Sequence, residues 1–208
     1  MTKNIYLSES FDNRRRPPYT PSGMELNLPN RITLLRIAVI PILMVFILIP
    51  PSWGKIVAIF VFALAALSDA VDGYVARSYA QVTDFGKFAD PIADKLLIAS
   101  ALLCFIQLGE FGSWGAPIVM VILAREFLVT GLRILAISKN IVIRASPLGK
   151  LKTLSHIGLV FVILGNSYFE WGPAGELAKQ AFIALAVWMA LISGADYFYR
   201  SRRVFKRI

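Results

Sequence analysis

Four aspartates stand in two pairs, Asp69/Asp72 and Asp90/Asp94, at the ends of two long apolar stretches in the segment SDAVDGYVARSYAQVTDFGKFADPIADKLL. Carboxylates beside hydrocarbon are costly. They require cations, protons or water as partners, and are functional candidates by default. On a helix, residues at i, i+3, i+4 and i+7 share a face. Asp69, Asp72, Gly73 and Ala76 have that spacing, and Gly86, Asp90 and Asp94 follow one another at four-residue steps. Two carboxylates followed by residues with almost no side chain make a stripe that a bulky ligand can approach closely.

Four carboxylates at close quarters repel in a low dielectric and would take up protons unless cations compensate them. Oxygen ligands of this hardness suit Mg²⁺ or Mn²⁺. Two such ions can bridge a diphosphate and balance charge on attacking and leaving oxygens. The alternative is structural: the aspartates cap helices or pair with Arg77, Lys87 and Lys95. Four aspartates in register with two glycines favour the ion-binding reading, because charge is rarely placed near hydrocarbon without a task.

The elements that must position these residues are apolar helices. Of the 208 residues, 57% are hydrophobic, in runs of about 20, enough to cross a hydrocarbon core of roughly 30 Å. The pattern predicts an all-α integral membrane protein with six transmembrane helices, roughly 30–50, 54–78, 86–108, 114–137, 147–168 and 175–200. A polar cytosolic tail (1–27) would precede one transmembrane catalytic domain (28–200), and a basic tail (201–208) would follow it. The tail before the first apolar run is too long and polar for a cleavable signal.

Pro50-Pro51, Gly109, Gly112, Gly115, Gly165 and Trp171-Gly172-Pro173 mark the connections on one side, which carry few positive charges. The other side holds Arg14–Arg16, Arg31, Arg36, Arg77, Lys87, Arg133, Lys139, Arg144, Lys150, Lys152 and the C-terminal basic cluster. The lysine/arginine bias places that side, with both termini and the aspartates, in the cytoplasm. The net charge of +9 therefore reads as attraction to anionic headgroups and not to nucleic acid. Cys104, the one cysteine, excludes an intrachain disulfide and reads as a packing residue.

The segment from Asp69 to Asp94 resembles the signature of the CDP-alcohol phosphotransferase family, D-x2-D-G-x2-A-R-x8-G-x3-D-x3-D, at every position. The resemblance implies six transmembrane helices, a homodimer and a site for two divalent metal ions. It also implies transfer of a phosphatidyl-type group from a CDP-linked donor to an alcohol, with release of CMP. By that resemblance Asp69, Asp72 and Asp90 are metal ligands. Asp94 is the general base and also contacts the second ion. Asp69, Asp72, Gly73, Ala76, Arg77 and Gly86 lie at the CDP moiety. The chemistry is consistent, since small residues admit a nucleotide, Arg77 can balance phosphate charge, and a carboxylate can accept a hydroxyl proton.

Outside the signature, LNLPNRITLLRIAVIPILMV (26–45), AREFLVTGLR (124–133) and SPLGKLKTLSH (146–156) resemble one branch, the bacterial phosphatidylglycerophosphate synthases. That implies a multi-pass protein of the bacterial inner membrane with its active site facing the cytoplasm. Its substrates would be CDP-diacylglycerol and sn-glycerol 3-phosphate. Asn30 and Thr33 fall on the donor side. Arg125, Arg133, Lys150, Lys152, Thr33 and His156 are the candidate contacts of the acceptor phosphate, with Thr153 a further hydroxyl donor. Arg125 lies well inside its helix, where the alternative is an ion pair with Glu126 or an aspartate. Arg133 and Lys152 also fit solvated positive-inside residues. His156, where glutamine is usual in the branch, either donates to phosphate or satisfies a backbone carbonyl. Rival functions are a family enzyme using inositol phosphate, serine or phosphatidylglycerol, and, more remotely, a cation transporter. The transporter lacks support from any internal repeat.

Overall fold

The computed structural model describes residues 28–50, 52–79, 84–138 and 146–202, with side chains for 31–50, 52–68, 92–136 and 146–202. The predicted polar tail (1–27) and residues 203–208 of the basic tail lie outside the described residues. Six α-helices run in order: α1 (Leu28–Leu48), α2 (Ser52–Tyr79), α3 (Asp84–Gln107), α4 (Gly115–Ser138), α5 (Pro147–Phe169) and α6 (Gly172–Arg200). A short 3₁₀ turn, Gly112–Trp114, precedes α4, and the described residues contain no strand. Helix bounds agree with the apolar pattern to within three residues. One connection differs: the expected bounds leave residues 79–85 between α2 and α3, whereas residues 80–83 separate the two helices. Helical geometry continues past the apolar runs into the polar residues at both ends.

Apolar residues fill most of the interior and also cover much of the outside. Leu43 and Ile47 of α1, Phe62 of α2, Phe105 of α3, Ile122 of α4 and Leu159 and Ile163 of α5 are fully buried in one core. Outward-facing Leu35, Leu64, Leu154, Leu177 and Trp188 are each more than 60% exposed. A water-facing surface does not carry so much contiguous hydrocarbon. Arg31–Leu48, Pro147–Phe169 and Gly172–Arg200 are long and apolar enough to cross a membrane, and Ser52–Ser68 is a shorter apolar helix. The chain is a membrane protein. The helices that fall short of that measure among the described residues, α2, α3 and α4, contain the four aspartates and Arg125, Glu126 and Arg133.

Helix α1 packs against both α2 and α3, whereas α2 and α3 barely touch each other among the described residues. The α5–α6 hairpin is packed most closely, α2 lies against α5, and α4 lies against α6. Glycines permit the close approach in the hairpin. A Cβ on Gly158 would stand 2.7 Å from the Phe182 ring, and one on Gly165 would stand 2.9 Å from Trp171. Small residues at such contacts let helices approach where no hydrophobic force between them operates.

One end of the bundle is tied by charge. Glu110, in the turn after α3, accepts from Ser167 of α5 at 2.8 Å and from Lys179 of α6 at 3.0 Å. Lys179 also reaches Glu176 at 2.9 Å, and Asn166 donates to Glu176 at 2.9 Å. The α3–α4 turn is thereby held to the α5–α6 turn, which leaves the opposite end of α3, α4, α5 and α6 free to form a site. Gly165→Leu would drive a side chain into Trp171 and should destabilise the protein by about 1–3 kcal/mol. Thermal unfolding in detergent micelles measures this, and an unchanged midpoint would refute the close packing.

Candidate active site

At the end away from the Glu110 network, α3, α4, α5 and α6 enclose a cavity of about 250 Å³. Asp94 and Lys95 of α3 line it, with Arg125, Glu126, Val129, Thr130 and Arg133 of α4. Ser146, Gly149, Lys150, Lys152 and Thr153 at the start of α5, and Tyr197 of α6, complete the wall. The α4 contribution follows the i, i+3, i+4, i+7 rule from Glu126 to Arg133, so one helix face supplies it. The larger cavity, about 630 Å³, lies at the opposite end around Glu110, Lys179 and Trp188 and contains none of the predicted site residues.

The start of α5 is built by local sequence. Ser146 is an N-cap in extended conformation, its hydroxyl accepts from the Gly149 amide at 3.1 Å, and Pro147 follows in the first turn. A hydroxyl cap and an early proline stabilise a helix start, since the proline lacks only a donor that would be orphaned there. The cap fixes where Lys150, Lys152 and Thr153 emerge. The Thr153 hydroxyl donates to the Gly149 carbonyl at 3.2 Å.

Charge dominates the cavity, with five basic side chains and two acidic ones. Oε1 of Glu126 accepts from Arg125 Nη1 at 3.2 Å and from Lys152 Nζ, so one carboxylate oxygen joins α4 to α5. Asp94 lies near enough for its charge to act on Lys152. The Arg125 stem rests on Gly194 of α6, where a Cβ would stand 3.2 Å from Cγ. Arg133 Nε points to the Tyr197 hydroxyl at 3.5 Å, a weak hydrogen bond. A cavity with this excess of positive charge has the chemistry to suit a small, multiply charged anion, and Asp94 stands at its wall.

The structure therefore brings together Asp94, Arg125, Arg133, Lys150 and Lys152 from the predicted set. It does not bring His156 and Thr33 to this cavity. His156 is buried one turn deeper on α5, with Nε2 3.4 Å from the Ala186 carbonyl of α6, the second of the two roles its sequence position allowed. Thr33 is buried on α1. Asp69, Asp72, Gly73, Ala76 and Arg77 lie on the helical backbone of α2, Gly86 and Asp90 on that of α3, and Asn30 on that of α1. Their side chains are outside those described.

Glu126 was considered only as a partner of Arg125, and its second tie, to Lys152, is not visible in sequence because the two are 26 residues apart. Tyr197 was not singled out; a polar aromatic near the basic end of α6 was the available signal.

For divalent metal ions, the donor chemistry fits. Asp69/Asp72 and Asp90/Asp94 lie on uninterrupted helix at i, i+3 and i, i+4 spacing, so each pair shares a face. Carboxylate oxygens are the ligands that hard divalent cations prefer. Among the described side chains alone, no group of three or more His, Cys, Asp or Glu residues could hold a metal.

Comparison with known proteins agrees with the geometry. Residues 26–192 match the CDP-alcohol phosphatidyltransferase family. The chain is 40% identical over 197 residues to the Bacillus subtilis CDP-diacylglycerol--glycerol-3-phosphate 3-phosphatidyltransferase, with 86% of this chain and 97% of that protein covered. It is 34% identical over 185 residues to the protein of the same name from Rickettsia bellii, with 86% and 97% covered. A Mycobacterium tuberculosis protein named "Probable phosphatidylglycerophosphate synthase" is 39% identical over 183 residues, with 85% and 82% covered.

If the cavity is an anion site, Lys152→Ala removes one charged donor, worth about 1.5–3 kcal/mol. Affinity for inorganic phosphate, measured by calorimetry on the purified protein, should fall roughly tenfold or more.

Proposed function

The chain belongs to the CDP-alcohol phosphatidyltransferase family and is a transferase; from that premise we propose that it is a phosphatidylglycerophosphate synthase. It would transfer the phosphatidyl group of CDP-diacylglycerol to sn-glycerol 3-phosphate and release CMP. The observation that carries the acceptor assignment is the cavity in which Arg125, Arg133, Lys150 and Lys152 stand around Asp94. A phosphate dianion on the acceptor needs several cations, and its hydroxyl needs a base within reach. The relatives' names support the same acceptor.

In the proposed mechanism, the cations at the cavity wall hold the acceptor phosphate and orient the free hydroxyl toward Asp94. Asp94 takes the hydroxyl proton as its oxygen attacks the phosphorus that bears the lipid. The bond from that phosphorus to the CMP oxygen breaks in line. Positioning and charge neutralisation carry most of the catalysis in such a transfer. Gly73, Ala76 and Gly86 would admit the nucleotide close to the backbone, with Asn30 and Thr33 on the donor side, and Arg77 would balance its phosphates. Two Mg²⁺ or Mn²⁺ ions, held by Asp69, Asp72 and Asp90 with Asp94 at the second, would supply charge neutralisation at the phosphoryl oxygens.

The proposed setting is the bacterial cytoplasmic membrane, crossed six times by one catalytic domain (28–200), with the cavity open to the cytoplasm. The lysine/arginine bias of the connecting segments supports that orientation. A homodimer is the proposed assembly, on the family resemblance.

Purified protein given CDP-diacylglycerol, a divalent cation and each acceptor in turn should release CMP with glycerol 3-phosphate. Turnover confined to inositol phosphate would overturn the acceptor assignment. Asp94→Asn should lower kcat at least about a hundredfold, while CDP-diacylglycerol binding largely survives. Near-normal turnover in that variant would remove Asp94 as the base.

A further inference from the structure

Glu126 is the one acidic side chain besides Asp94 in a cavity whose wall carries five basic side chains. A single oxygen of its carboxylate takes both Arg125 and Lys152, and the three side chains are 11%, 6% and 13% exposed for Arg125, Lys152 and Glu126. Two nearly buried cations on neighbouring helices would repel if nothing lay between them, and an uncompensated buried charge is strongly unfavourable. Before an acceptor binds, the site therefore needs an anion of its own. Arg125 keeps a further donor in reserve, because its Nε is buried without a hydrogen-bond partner.

We infer that Glu126 is a placeholder anion that holds Arg125 and Lys152 together before the acceptor binds and yields them to the acceptor phosphate, setting selectivity for dianionic phosphate monoesters. The inference rests on the reading of this cavity as the acceptor site. A phosphate dianion offers three oxygens and two charges against one carboxylate oxygen and one charge, so it can displace Glu126 from both cations. A neutral alcohol cannot, and a monoanionic phosphodiester competes on equal charge without gain. Displacement asks only the carboxylate to turn away, and the Glu126 main-chain carbonyl keeps its hydrogen bond from the Thr130 hydroxyl at 2.8 Å. Glu126 is thus a positioning and specificity-determining residue that acts through Arg125 and Lys152.

The test compares wild type with Glu126→Gln, full-length in detergent micelles. The readouts are calorimetric affinity for inorganic phosphate and for sn-glycerol 3-phosphate, and inhibition of turnover by inorganic phosphate. Removing the competing charge should tighten binding of both anions and lower the inhibition constant of inorganic phosphate, each about tenfold, the size of one charged hydrogen bond. Damage to the fold would not tighten binding. Glu126→Asp keeps the charge but withdraws it from Lys152 by one methylene. It should tighten binding by a smaller factor, and it supplies the comparison if the amide variant does not accumulate. Weaker or unchanged anion binding in both variants, with the wild type binding normally, overturns the placeholder and leaves the acceptor site standing. Absence of anion binding in the wild type as well overturns both.

Discussion

Charge carried into an apolar helix bundle must be matched where it stands, and the rest of this structure follows from how that is done. Two like unit charges about 4 Å apart at an effective dielectric near 20 repel by on the order of 4 kcal/mol, comparable to a large part of a domain's net stability. The molecule segregates its buried charge at two ends. At one end Lys179 stands between Glu110 and the half-exposed Glu176, and the group joins two turns. At the other, Glu126 draws Arg125 and Lys152 to one oxygen while further cations stand around Asp94. The first has more carboxylates than cations. The second has more cations than anions and is therefore receptive.

Between these ends the described core is mainly apolar, with the His156–Ala186 contact a polar exception, so shape does most of the aligning. Helix α1 lies against α2 and α3, and the glycines of α5 and Gly194 of α6 let side chains of neighbouring helices fill the gaps. The Arg125 stem on Gly194 shows how packing serves the site: a residue with no functional group of its own determines where a guanidinium can lie. The capped start of α5 does the same for Lys150 and Lys152. Catalysis that depends on positioning and charge needs both features.

Much of this was legible in the chain. Apolar runs of about twenty residues, divided by turn and charge signals, marked the six helices, because apolar length and the chemistry of turn residues are local properties. The aspartate signature was legible for the same reason, since i, i+3 and i, i+4 spacing settles which residues share a helix face before any tertiary contact forms. The α2–α3 connection was overestimated because polar residues after an apolar run look like loop, although a helix continues through them once its ends are held. His156 was left between a phosphate and a carbonyl, and only the distance to Ala186 of α6 separates those two environments.

By itself, the sequence determined the kind of chemistry: acidic pairs on helical faces beside hydrocarbon, a basic side to the membrane, and a match to a family signature at every position. Tertiary structure alone decided which cations belong to one cavity. Arg125, Lys152 and Tyr197 come from three helices, and Glu126 meets Lys152 across 26 residues of sequence. Spacing along one helix sets a face, but which faces meet depends on how helices pack against α1 and α6, and that packing is a property of the whole bundle.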